Sequence, residues 1–126
     1  MCIRLAQSVW AFTALAVATT FAFGKDFRWS NDLVCQAGVH AYFYLRQPPR
    51  RIGNVDDKLV FRSASGATYD CQVRGNAFLL NWKNDTGPMS SNSTKFEISG
   101  STLTVQPAGV SSWWFRLIED GYVTLE

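Results

Sequence analysis

From Leu33 to the end of the chain, apolar and polar side chains alternate with a period close to two. No run carries the 3.6-residue spacing of an amphipathic helix. Val39, Ala41, Phe43 and Leu45 alternate with His40, Tyr42, Tyr44 and Arg46, which predicts a strand. Proline cannot donate to a ladder, so Pro48-Pro49 ends it. A short strand at Leu33–Gln36 is expected before it, and Lys58 to Ser63 reads as a strand closed by the turn pair Ser65-Gly66. Tyr69, Cys71 and Val73 then face one way and Thr68, Asp70, Gln72 and Arg74 the other. After Gly75-Asn76 the pattern resumes with Phe78, Leu80 and Trp82, the clearest hairpin in the chain.

Asn84 to Thr94 is polar, holds Gly87-Pro88, and is expected to be a mobile surface loop. Lys95–Ser99 and Thr102–Gln106 predict another hairpin around Gly100, and Trp113–Ile118 with Tyr122–Leu125 a further one around Asp120-Gly121. The total is about eight strands with turns every eight to twelve residues. That spacing predicts an all-β fold, a small antiparallel β-barrel or sandwich. Closure into a barrel would remove the exposed edges that a secreted sheet must otherwise protect.

The first 24 residues fall outside this pattern. Arg4 is the only charge before Lys25, and the apolar stretch Val9–Ala18 follows it. Ala22 and Gly24 are the small residues a signal peptidase needs, so residues 1–24 read as a signal peptide and 25–126 as a single β-rich domain. The uncharged run is also long enough for an uncleaved anchor, against which stand Gln7, Ser8, Thr13, Thr19 and Thr20. Cys2 precedes the apolar region, where a lipoprotein cysteine would follow it. The expected location is periplasmic or secreted, with no membrane attachment after cleavage. Removing residues 1–24 leaves 102 residues, eleven basic against ten acidic, for a net charge of +1. Such a domain has no electrostatic reason to seek nucleic acid.

Cleavage also removes Cys2 and leaves Cys35 and Cys71, an even pair in an oxidising compartment, expected as a disulfide. A zinc site lacks ligands, since His40 is the only histidine and no Cys-x-x-Cys occurs; no metal or cofactor is expected. His40 is expected on a sheet surface. No Gly-x-Ser-x-Gly elbow is present, and the scattered acids nominate no glycosidase pair, so the chain reads as non-catalytic. Arg46, Arg50 and Arg51 gather around Pro48-Pro49, either as a solvated loop or as a contact for an anionic partner.

Fourteen aromatics remain after residue 24. Trp113 and Trp114 are adjacent, so in a strand they point to opposite faces and one of them is available to a protein or sugar partner. The second function class follows from this: a structural or secretion-associated subunit that binds through exposed aromatics.

Ser65-Gly66-Ala67-Thr68-Tyr69 resembles the Ser-Gly-x-x-Tyr motif of the periplasmic and membrane-bound inhibitors of c-type lysozyme, which are small exported β-barrels with a disulfide. Cys35 upstream and Trp82-Lys83 downstream extend the resemblance. In that family the serine and a later lysine contact the catalytic carboxylates of the lysozyme cleft. The resemblance therefore implies partner contacts at Ser65, Gly66, Tyr69 and Lys83. Cys71, two residues past the motif, departs from a family in which the second cysteine comes nearer the end.

Overall fold

The computed structural model describes residues 28–125, so the signal segment lies outside the described residues. Where the alternation predicts the first two strands, the chain instead forms its one helix in this range, α1 (Asn31–Tyr42). The reason lies at its start. The Ser30 hydroxyl accepts the Leu33 N–H at 3.2 Å, its carbonyl takes the Val34 N–H at 2.9 Å, and Asp32 sits in the first turn, where the helix dipole favours an anion. The period of 3.6 is invisible because α1 is buried on most sides. Val34, Cys35, Ala37, Gly38, Val39, His40 and Ala41 are all buried, leaving no polar face to mark the repeat. Past Phe43, Tyr44 turns the chain out of the helix at φ 56°, and the Leu45 N–H donates to the His40 carbonyl at 3.0 Å.

Nine antiparallel strands follow: β1 (Arg50–Val55), β2 (Lys58–Arg62), β3 (Thr68–Arg74), β4 (Ala77–Asn84), β5 (Gly87–Ser91), β6 (Lys95–Ser99), β7 (Thr102–Gln106), β8 (Trp113–Ile118) and β9 (Gly121–Leu125). β1 to β5 form one meander and β6 to β9 another. The meanders meet where Ala77 pairs with Lys95, supported by Phe78 N–H to Thr94 carbonyl and Phe96 N–H to Asn76 carbonyl bonds. β1 and β9 lie at the two ends of the strand order, so the sheet is open, not closed. Of the two expected architectures, the fold is the sandwich-like one: two leaves with α1 between them.

β5 corrects the expectation of a loop across Asn84–Thr94. The Asn84 side-chain oxygen accepts both the N–H and the hydroxyl of Thr86, at 2.8 and 2.7 Å, which tightens the turn. Gly87 follows with φ 119°, a backbone conformation that favours glycine. Lys83 is then paired with Pro88 on a strand whose other side has no ladder to break. Arg50 and Arg51, expected in a loop, belong to β1.

The inward positions of both leaves make the core. Phe61, Tyr69, Cys71, Phe78 and Leu80 from the first leaf and Leu103, Val105, Phe115 and Tyr122 from the second surround Val34, Cys35, Val39 and Ala41 of the helix. The expected disulfide is present: Cys35 on α1 is bonded to Cys71 on β3, 36 residues away. In the chain-entropy account a loop of that size is worth about 4 kcal/mol. Gly38 faces Phe78 so closely that an added Cβ would lie 2.7–2.9 Å from three ring atoms. The helix therefore nests on the sheet at the point where the two leaves join. Among the described residues, no helix is long and apolar enough to cross a membrane.

Candidate functional site

The turn between β2 and β3 is held from within. Ser63 N–H donates to the Ala67 carbonyl and Gly66 N–H to the Ser63 carbonyl, each at 2.9 Å. The Ser63 hydroxyl accepts Ala67 N–H at 3.2 Å and lies 2.9 Å from the Ser65 hydroxyl. Gly66 has φ 97°, so the sharp reversal needs a residue free of a Cβ. Ser63 is buried, whereas Ser65 and Gly66 are exposed at the tip. The result is an exposed turn whose two serine hydroxyls are held by one another and by the Ala67 N–H.

Lys83 lies at the same end of the sheet. Continuing the β3–β4 register past the Tyr69–Trp82 pair sets Thr68 beside Lys83. Phe61 and Tyr69 point to the core, so Arg62, Thr68 and Lys83 point away from the helix, and all three are exposed. Next to Lys83 is an open hollow of about 530 Å³ lined by Thr68, Asp70, Asn81, Pro88 and Met89. A lysine at the rim of an open hollow, on the strand next to an exposed hydroxyl turn, can donate charge-assisted hydrogen bonds to acidic groups of a partner.

The other residues implicated by the sequence are placed differently. Tyr69 is buried with its ring 4.1 Å from that of Phe43, so it seats the turn on the core from below. Trp113 and Trp114 do point to opposite faces. Trp113 packs against His40, Tyr44 and Phe115, while Trp114 is 47% exposed on the outer side of β8. Both belong to the second leaf, whereas the Ser65 turn and Lys83 belong to the first.

His40, expected on a sheet surface, is a buried helix residue whose Nδ1 lies 3.1 Å from the Tyr122 hydroxyl of β9. It is carried inward because it lies on a helix that is buried on most sides and not on a strand. Burial lowers its pKa below the usual histidine value, partly opposed by a backbone hydrogen bond at Leu45. Burial likewise pushes the Tyr122 phenol up, so the phenol keeps its proton and the two groups share their hydrogen bond as neutral partners. Among the described residues, no group of three or more His, Cys, Asp or Glu side chains could hold a metal ion.

Arg62 is a site residue that sequence reasoning did not single out. Its neighbour across β1 is Arg50, a juxtaposition set by the length of the Val55–Lys58 turn and by a bulge between Arg51 and Gly53, neither of which shows in the pattern of alternation. Comparison with protein-family models, with curated proteins and with solved structures finds no match for this chain.

Proposed function

We propose that this is a non-catalytic binding protein that works from the Ser63–Gly66 end of its first leaf, and that its partner is a c-type lysozyme whose cleft the turn enters. In this reading residues 1–24 direct export and the protein acts in the periplasm or as a secreted protein. The disulfide is compatible with such an oxidising location. The observation that supports the reading most is the exposure of Ser65-Gly66 at the β2–β3 turn with Lys83 at the same end of the sheet. A hydroxyl and an ammonium so placed satisfy two carboxylates in a partly desolvated cleft, where charged hydrogen bonds are strong.

The test is hydrolysis of cell wall by a c-type lysozyme in the presence of the purified protein. Activity should fall to background near equimolar inhibitor, and Ser65→Ala and Lys83→Ala should each weaken inhibition by roughly tenfold, the loss of one charge-assisted hydrogen bond. Full lysozyme activity at a large excess of folded protein would rule the reading out.

A second reading rests on the opposite leaf. Trp114, Ile118 and Val123 are exposed around Arg116 on the outer face of the β8–β9 hairpin, a surface suited to a structural or secretion-associated subunit. Its mark would be a partner that copurifies with the native protein and is lost on Trp114→Ser.

A further inference from the structure

Arg50 and Arg62 are direct cross-strand partners on the β1–β2 hairpin. Because Phe61 points into the core, Arg62 points outward, and Arg50 shares its face. Like charges directly opposed on an antiparallel pair repel, and among the described residues neither arginine is ion-paired. Arg51 offers the contrast one residue away. It faces the helix side, where the Asp32 carboxylate and the Asn54 side-chain oxygen accept its guanidinium.

Arg50 and Arg62 line a hollow of about 360 Å³ together with Gln47, Pro48, Ser63 and Gly66. Its walls are built before any ligand arrives. On one side the Gln36 side chain donates to the Pro49 carbonyl at 2.7 Å and fixes the 47–49 segment to α1. On the other, Ser63 is buried and held by the turn bonds described above. The lining residues include two arginines and a glutamine, and no acidic residue.

We propose that this hollow is an oxyanion-binding site, in which Arg50 and Arg62 each take an oxygen of one carboxylate or phosphate group. Guanidinium forks match such oxygens in geometry and stay charged at any physiological pH. The anion replaces the repulsion between the two cations with two charge-assisted hydrogen-bond sets. The site lies on the opposite flank of the Ser63–Gly66 turn from Lys83, so a ligand there would be held against the turn itself. The assignment holds whether or not the protein partner is a lysozyme.

The experiment is a titration of the disulfide-bonded protein with inorganic phosphate and, separately, with sodium acetate. Ionic strength is held constant with sodium chloride, and backbone amides and arginine Nε–H signals are followed by NMR. Saturable shifts at the Nε–H groups of Arg50 and Arg62 and the amides of Ser63 and Gly66 are expected with at least one anion. Which anion saturates at the lower concentration identifies the source as phosphate or carboxylate. Arg62→Gln should weaken binding at least fivefold, while Arg46→Gln leaves it unchanged. In low-salt buffer without either anion, Arg62→Gln should raise the melting temperature by about 1–3 °C, because it removes a like-charge pair. Linear, unsaturable shifts with both anions, equal affinity in Arg62→Gln, or a lowered melting temperature in that variant would each overturn the assignment.

Discussion

The two leaves are fastened to the same helix by different chemistry. In the first, Cys35–Cys71 ties β3 to α1 covalently, and Arg51–Asp32 adds an ion pair near the helix start. In the second, the ties are non-covalent: the buried His40–Tyr122 hydrogen bond, aromatic packing of Trp113 and Phe115 on His40, and the Trp29 indole N–H on the Ser101 carbonyl at 3.2 Å. The outer surfaces differ in parallel. The covalently held leaf presents the hydroxyl turn with Arg50, Arg62 and Lys83, and the other presents Trp114, Ile118 and Val123. In the proposed binding role, a turn held by a rigid anchor gains affinity, because ordering costs at binding fall when the bound conformation is already set.

Removing the disulfide should break this asymmetry most strongly. Cys35→Ser with Cys71→Ser is expected to cost about 4 kcal/mol in chemical denaturation. Amide hydrogen exchange in the double variant should rise first in β2 and β3. Gly38→Ala comes next, since its Cβ would meet the buried Phe78 ring at the seam of the two leaves. Overpacking of that kind costs roughly 1–3 kcal/mol, read as a lower denaturation midpoint with an unchanged slope.

Acid should act first on the second leaf. The folded pKa of His40 lies below its unfolded value of 6.5 because burial disfavours the charged ring. The unfolded chain therefore binds the proton first. His40 contributes its full stability above pH 6.5 and loses it as pH falls from there towards the folded pKa. Between pH 6.5 and 5 this loss is bounded at about 2 kcal/mol. Melting temperatures across that window should fall in the native chain and stay flatter in His40→Asn, with exchange in β8 and β9 rising before that in β2 and β3.

What could be read from the sequence divides along similar physical lines. The hairpins from Lys58 to Trp82 and from Lys95 to Leu125 were legible because each has one buried face and a turn pair that permits positive φ, as at Gly75, Gly100 and Gly121. The disulfide was legible from the expected export and from cysteine parity. The helix was not, because its residues are buried nearly all round and its small side chains, Ala37, Gly38 and Ala41, answer to Phe78 and the sheet and not to water. The one local sign was Ser30-Asn31-Asp32, a capping sequence outweighed by the alternation that follows it. β5 escaped notice because its turn is made by an Asn84 side-chain bond and it carries a proline. Ser65 and Lys83 were nominated by motif, whereas the Arg50–Arg62 pairing depends on register, which a bulge alters.

The claim that binding belongs to the first leaf is tested most directly by calorimetric titration of a c-type lysozyme with the native protein, the Ser65→Ala/Lys83→Ala double variant and Trp114→Ala. The account predicts one-to-one binding by the native protein, a loss of at least tenfold in affinity in the double variant, and no change in Trp114→Ala. No heat of binding from the native protein, or a loss confined to Trp114→Ala, would contradict it.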